Sequence, residues 1–175
     1  MINFDIDRCI DSINIIVDTR EQDTARARRR ISCLPCPVIR LGLNFGDYSY
    51  SFTLPNGKIE PMVLKCSVER KMSLDELAAC FTHDRDRFRR EFERAADAKA
   101  NMLLIVENAN YENLMNHKYR SRFNPDAFLA SLMAWQIRYG FQVIMCKEET
   151  TPRMIYEWCK RDLKQRLERG DYDGI

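Results

Sequence analysis

The chain has 175 residues, 45% of them hydrophobic and 31% charged, and a formal net charge of +2. That is enough chain for one domain with a sizeable core, and the balance is that of an ordinary water-soluble protein. No apolar run approaches the roughly 20 residues that span a bilayer, and a charge so near zero means that any affinity for a polyanion must come from clustered side chains.

Residues 1–12 read as a short N-terminal arm, residues 13–168 as a single domain, and residues 169–175 as a frayed tail. Met1-Ile2-Asn3-Phe4-Asp5 lacks the basic-then-apolar order of a secretion signal, so no membrane partner is expected. The expected location is the cytosol, or the nucleus of a eukaryote. Ile13 to Val17 is a compact β-branched run, expected as a buried strand that delivers Asp18 to its C-terminal end. Glu21 follows in the loop, where Arg20 and Glu21 offer each other an ion pair. Thr24 to Ser32 reads as a helix carrying Arg26, Arg28, Arg29 and Arg30. Four arginines in five positions cannot all be hidden, so this is a basic surface, either solvated or set for phosphate. Cys33-Leu34-Pro35-Cys36 has no second ligand pair for zinc and follows a helix, unlike a redox motif. The seven cysteines are read mainly as free thiols that act as small hydrophobes.

Val38 to Leu43 is a further strand, and Asn44-Phe45-Gly46 turns into Asp47. Tyr48 to Leu54 alternates large apolar with hydroxyl side chains at period two. Pro55-Asn56-Gly57 is a turn signal, and Val63 to Val68 is expected to return as the second strand of a hairpin. Glu69 and Lys71, two apart in extended chain, face the same way, and the hairpin would fold Asp47 back beside them. Facing carboxylates repel unless a cation lies between them, and hard oxygen ligands suit Mg²⁺ or Mn²⁺. Such a cation polarises a phosphoryl oxygen and acidifies a bound water. Lys71 would orient the attacking hydroxide or stabilise a pentacoordinate phosphate. On this pattern alone, a surface hairpin with solvated charges is equally open. Ser73 is an N-cap with Glu76 at the capping-box position. Asp75 falls in the first turn, as a water-mediated metal ligand or as a partner for helix amides.

Asp84 to Lys99 is a charged helix with Phe88, Phe92 and Ala95 on one face, continuing from Phe81. Arg87 and Glu91 pair across one turn. His83 is a second, metal-independent option for a general base. Met102 to Val106 reads as a central strand buried on both faces, with Glu107 as a loop acid at its end. Tyr111 to Met115 is a short helix. Lys118-Tyr119-Arg120-Ser121-Arg122 is either a plain exposed loop or a contact for a phosphate backbone with one stacked base. Asn124-Pro125 opens a helix with a stripe of Phe128, Leu132, Trp135 and Tyr139, ended by Gly140. Phe141 to Cys146 is the last strand, and Thr151-Pro152 opens the last helix. Strands and helices alternate after Val68, which argues for an α/β fold with a partly parallel sheet.

Three motifs stand in order: Val17-Asp18-Thr19-Arg20-Glu21, Gly46-Asp47-Tyr48 and Glu69-Arg70-Lys71-Met72-Ser73-Leu74-Asp75. Together they resemble the nuclease domain of the XPF family of structure-specific DNA endonucleases, and the likeness continues through Asn124-Pro125 and Arg138-Tyr139-Gly140. The resemblance implies a restriction-endonuclease-like α/β fold, a mixed sheet of about five or six strands with helices on both faces. It implies Mg²⁺-dependent hydrolysis, with Mn²⁺ substituting, of branched or flapped DNA in repair, recombination or replication. Asp47, Glu69, Lys71 and Arg70 would be catalytic. Asp18, Glu21, Asp47 and Glu69 would bind metal, with Asp75 as an additional ligand. Arg20, Arg85, Arg87, Lys118, Arg120 and Arg122 would touch DNA.

Many relatives carry a tandem helix-hairpin-helix domain, whereas only about seven residues follow the last predicted helix. The expectation is therefore a standalone version, phage or bacterial, choosing substrate through its own surface, as a homodimer or with a separate partner protein. Trp135, Trp158 and Met133 are the candidates for a dimer face. The alternatives are a non-catalytic nucleic-acid-binding partner or scaffold, and an RNase of the same fold.

Overall fold

One strand runs against the rest, and that reversal builds the site. The computed structural model describes residues 3–174, so Met1 and Ile2 of the expected arm and Ile175 of the expected tail lie outside the described residues. The described chain holds seven strands in one mixed sheet: β1 (Asn14–Val17), β2 (Val38–Arg40), β3 (Tyr48–Thr53), β4 (Ile59–Pro61), β5 (Cys66–Lys71), β6 (Asn101–Glu107) and β7 (Gln142–Cys146). Their spatial order is β2-β1-β3-β5-β6-β7, with β4 paired to β3 off this path. The helices are α1 (Asn3–Asp11), α2 (Ala25–Ser32), α3 (Leu74–Phe81), α4 (Arg85–Asp97), α5 (Tyr111–Met115), α6 (Pro125–Tyr139) and α7 (Thr151–Glu168).

Strands β5, β6 and β7 are parallel, as are β1 and β2, whereas β3 is antiparallel to both β1 and β5. The start of β3 therefore meets the ends of β1 and β5. Asp47 stands at that start, tied in by backbone bonds: the Asp18 N–H donates to the Asp47 carbonyl (2.9 Å) and the Asp47 N–H to the Val68 carbonyl (2.8 Å).

The pleat sorts the apolar side chains into two cores. Leu103 and Ile105 of β6 join Val17, Tyr48, Tyr50 and Val68 under α1 and α7. Met102, Leu104 and Val106 join Leu77, Phe88, Phe92, Phe128 and Trp135 of α3, α4 and α6. This two-sided cover is why Met102 to Val106 is apolar without a break. The caps at Ser73 and Asn124 lie where the sequence places them, and Thr24 is a further cap, so that α2 begins one residue later than expected. Thr24 accepts the Ala27 N–H (3.1 Å), Ser73 that of Glu76 (3.3 Å), and Asn124 those of Asp126 and Ala127.

Several boundaries differ from expectation. Strand β2 stops at Arg40, and β3 forms its hairpin with the short β4 rather than with the Glu69–Lys71 strand. A turn in which the Lys65 N–H donates to the Met62 carbonyl (2.8 Å) then carries the chain to the other edge of β3. Strand β5 so begins at Cys66 and contains the whole Glu69-Arg70-Lys71 motif. The expected arm is helix α1, whose Ile6, Cys9 and Ile10 are buried in the core. The expected frayed tail carries Tyr172 into that core, its ring edge-on to Phe52 at 5.3 Å. Both ends are held because each offers apolar side chains to the same sheet face.

Gly46 has φ +72°, and a Cβ there would meet the Ser67 Oγ at 1.9 Å and the Val68 carbonyl at 3.1 Å. A left-handed backbone and a steric clash thus coincide. Gly46→Ala is expected to lower stability by at least about 2 kcal/mol, read as a lower urea midpoint at unchanged slope.

Candidate active site

The pleat of β5 decides which side chains meet. Glu69 and Lys71 point to the face covered by α4, and both are buried. The Lys71 Nζ donates to the Glu69 Oε1 at 2.5 Å and lies 5.1 Å from the centre of the Phe88 ring. Burial pushes the Lys71 ammonium down, but the Glu69 carboxylate outweighs it and holds the pKa above the ordinary lysine value. Lys71 is thus a fixed cation rather than a proton donor at neutral pH.

Asp47 has a single donor, the Arg70 backbone N–H, at 2.8 Å to its Oδ2. Burial, and next the charge of Glu69, push its carboxyl up to about 8, with Lys71 offsetting only part of this. One ammonium serves two carboxylates, so the pair is short of positive charge. That deficit, in a hard oxygen donor set, fits a divalent cation between Asp47 and Glu69.

The other two acids of the expected metal set line the same cleft, each paired with an arginine. Asp18 is buried, and accepts the Arg20 backbone N–H (2.8 Å) and the Arg20 Nη2 (2.5 Å). Burial raises its pKa, but the bonds from Arg20 outweigh that and hold the carboxyl below the ordinary range. Arg20 also donates to the Leu43 carbonyl (2.8 Å), while its side chain stays largely exposed and lines the cleft over the acids. Glu21 pairs with the Arg30 Nη2 at 2.6 Å, not with Arg20. Among the described residues no three His, Cys, Asp or Glu side chains form a ready metal cage.

On the opposite face lies a second charged group. Glu107 is the last residue of β6, not a loop acid, and is fully buried. Arg30 reaches it at 3.4 Å, Arg70 at 3.2 Å and Arg26 at 3.5 Å. Arg30, itself buried, also donates to the Tyr48 hydroxyl at 2.8 Å. Arg70 therefore braces this network, while its backbone N–H serves Asp47 from the other side of the strand. The basic helix of the sequence is only partly a surface. Ala27, Arg30 and Ile31 share an inward face at helical spacing, a signal that singles out Arg30 from its neighbours.

The cleft over the acids has a volume of about 640 Å³ and is lined by Asp18, Asp47, Glu69, Lys71 and Arg87 among others, together with Glu76 and Glu91, which sequence reasoning did not single out as site residues. Of the expected DNA contacts, Arg20 and Arg87 line it and Arg85 does not. Arg85 lies over Trp135 at 5.4 Å and donates to the Phe81 carbonyl (3.2 Å). Lys118, Arg120 and Arg122 are exposed on the loop between α5 and α6. His83 is exposed beside Asp84, away from the cleft. Cys33 is exposed and Cys36 half-buried.

The ERCC4 domain matches residues 17–157, a span that holds all three motifs. The chain belongs to the ERCC4 domain family. Its fold is similar to that of XPF from Aeropyrum pernix, at 23% identity and a TM-score of 0.59 over 85% of this chain and 60% of that one. It is similar also to XPF from Aeropyrum pernix in complex with DNA, at 24% identity and a TM-score of 0.60 over 88% of this chain and 66% of that one. The chain thus spans less than two thirds of the length of these structures. No curated protein matches it in sequence. The XPF-family resemblance of the motifs and the mixed α/β fold are borne out. Among the described residues no helix is long and apolar enough to cross a membrane.

Truncating Glu107 to Ala would leave buried arginines uncompensated. The expected cost is about 3–5 kcal/mol in urea unfolding, with Glu107→Gln, which keeps the oxygen acceptor, costing less.

Proposed function

We propose that this ERCC4 domain is a metal-dependent endonuclease that hydrolyses phosphodiester bonds in branched or flapped DNA. The observation that carries the reading is the cation-deficient pair of half-buried Asp47 and buried Glu69, set beside Lys71 in a cleft reached by Arg87. Asp47 and Glu69 would hold Mg²⁺, which when bound would polarise a phosphoryl oxygen and acidify a water. Lys71, locked in its charged form, is placed to stabilise negative charge that builds on the phosphate. Arg87 offers a fork that matches phosphate geometry. Asp18 and Glu21, neutralised by Arg20 and Arg30, set the field around the pair. A similar fold in complex with DNA supports DNA as the partner.

End-labelled linear duplex, single strand, splayed arm and 3′-flap substrates test this with Mg²⁺ or EDTA. Cutting near the branch is expected with Mg²⁺ and none with EDTA, and Lys71→Ala should lower the rate by about 10²–10³. Folded protein that binds branched DNA but cuts none would instead make the chain a non-catalytic partner.

The partner within the assembly is a second copy of this chain. Of the three expected dimer residues, Trp135 is in the core under α3, α4 and α6, Trp158 packs against the core on the other sheet face, and only Met133 points out. Met133 shares the outer face of α6 with Ile137, which is 86% exposed, and with Ala130 and Ala134. Asp126 and Arg138 lie at opposite ends of that face, so two antiparallel copies of α6 would match apolar centres and opposite charges at once. Light scattering should give a dimer for the wild type at tens of micromolar and a monomer for Ile137→Asp.

A further inference from the structure

Asp75 lies four residues past Lys71, in the first turn of α3, and its hydrogen bonds go neither to the helix amides nor into the cleft. The helix is already capped by Ser73, and the Glu76 Oε2 reaches back to the Met72 N–H at 2.7 Å. Asp75 does not line the cleft. Its Oδ1 instead accepts the backbone N–H groups of Arg120 (2.7 Å) and Ser121 (2.9 Å), and its Oδ2 accepts the Arg120 Nε (3.3 Å). All three bonds go to the loop between α5 and α6.

That loop is fixed from within. His117 takes φ +52°, and its Nε2–H donates to the Ser121 carbonyl at 2.8 Å. The Tyr119 hydroxyl donates to the Phe123 carbonyl at 2.7 Å. The Tyr119 and Phe123 rings pack on Phe128 at 5.5 and 5.1 Å. Tyr119 therefore serves the core and is not free to stack on a base. Lys118, Arg120 and Arg122 alternate with these inward residues and point out, the Arg120 side chain 93% exposed. The inner face is rigid and the outer face cationic, and Asp75 fastens the whole to the segment that leaves β5.

We propose that Asp75 is a positioning residue for DNA, clamping this loop so that Lys118, Arg120 and Arg122 form a preset phosphate-contacting platform at a fixed offset from Lys71. This rests on the reading of the chain as a DNA-cutting domain. A carboxylate that accepts two adjacent backbone N–H groups holds the path of the loop, not merely one side chain. Preset contacts cost less ordering on binding, so loss of the clamp weakens affinity even though Asp75 itself touches no phosphate.

The chemistry separates this role from metal binding. Both backbone bonds use one oxygen, which asparagine retains. Glutamate keeps the charge but moves the acceptor outward by a methylene. The test is the affinity for a fluorescent splayed-arm DNA in EDTA, where no metal contributes. Asp75→Asn should bind within about twofold of wild type, whereas Asp75→Ala and Asp75→Glu should each be weaker by about tenfold. Amide exchange at Arg120 and Ser121 should quicken in the last two only. The variant Lys118→Ala/Arg120→Ala/Arg122→Ala, which removes the platform itself, should lower the slope of log affinity against log salt by roughly two to three. If Asp75→Asn falls with the alanine and glutamate variants, or if none of them weakens binding while the triple variant does, the clamp is overturned and the nuclease reading stands. If the triple variant binds like wild type, the platform is overturned. If wild type binds no DNA, the nuclease reading falls with it.

Discussion

Two carboxylates, Asp47 and Glu69, are held together where protein supplies one ammonium between them. Like charges in a poorly solvated place do not gather unaided, so the surrounding structure has to force them. It does so with backbone rather than side chains. Strand β3 lies antiparallel between β1 and β5, and Asp47 is hydrogen-bonded through its main chain to Asp18 on one side and Val68 on the other. Gly46 lets the chain enter that strand against Ser67 with no side chain in the way. The repulsion is opposed, and outweighed, by sheet formation and by burial of the apolar side chains on both faces.

The sheet also works as a partition. Residues 69 and 71 send their charges to one face, and residue 70 sends its guanidinium to the other, where Arg30, Glu21 and Glu107 complete a buried network. Balance is close to complete on the Glu107 side, because three arginines answer one acid while Glu21 and Glu148 answer them in turn. On the other side it is incomplete. The proposed ion-binding role falls on the face where the protein leaves charge unanswered, and the scaffold of arginines and acids on the face where it does not. The fully buried Glu107 and the half-buried Asp47 are both acids at the ends of the sheet, and only this difference in partners separates their chemistry.

Much of this could be read from the residues, and the gaps have physical causes. Period two in β5 places Glu69 and Lys71 together without any tertiary information. Local capping chemistry at Ser73 and Asn124 likewise reports itself within four residues. The strand boundaries were harder, because Val63-Leu64-Lys65 has strand-like composition yet forms the turn that lets β5 reach the far edge of β3. Arg30, Glu107 and Asp75 were harder still. Each is an ordinary charged residue in its own segment, and its role comes from groups far along the chain: 77 residues from Arg30 to Glu107, and 45 from Asp75 to Arg120. The contacts of Arg85 with Trp135 and of Tyr119 with Phe128 were hidden for the same reason, since their partners arrive from a later helix.

The two acids that would do the cutting come from two different strands, Asp47 at the start of β3 and Glu69 within β5, and β5 is central, walled by β3 on one side and β6 on the other. The core beneath Val68 is closed by Ile155, Cys159 and Leu163 of the last helix. A chain still emerging from the ribosome thus carries all three motifs long before α7 closes the core that holds them in place. Through most of its synthesis the proposed site is therefore not yet assembled.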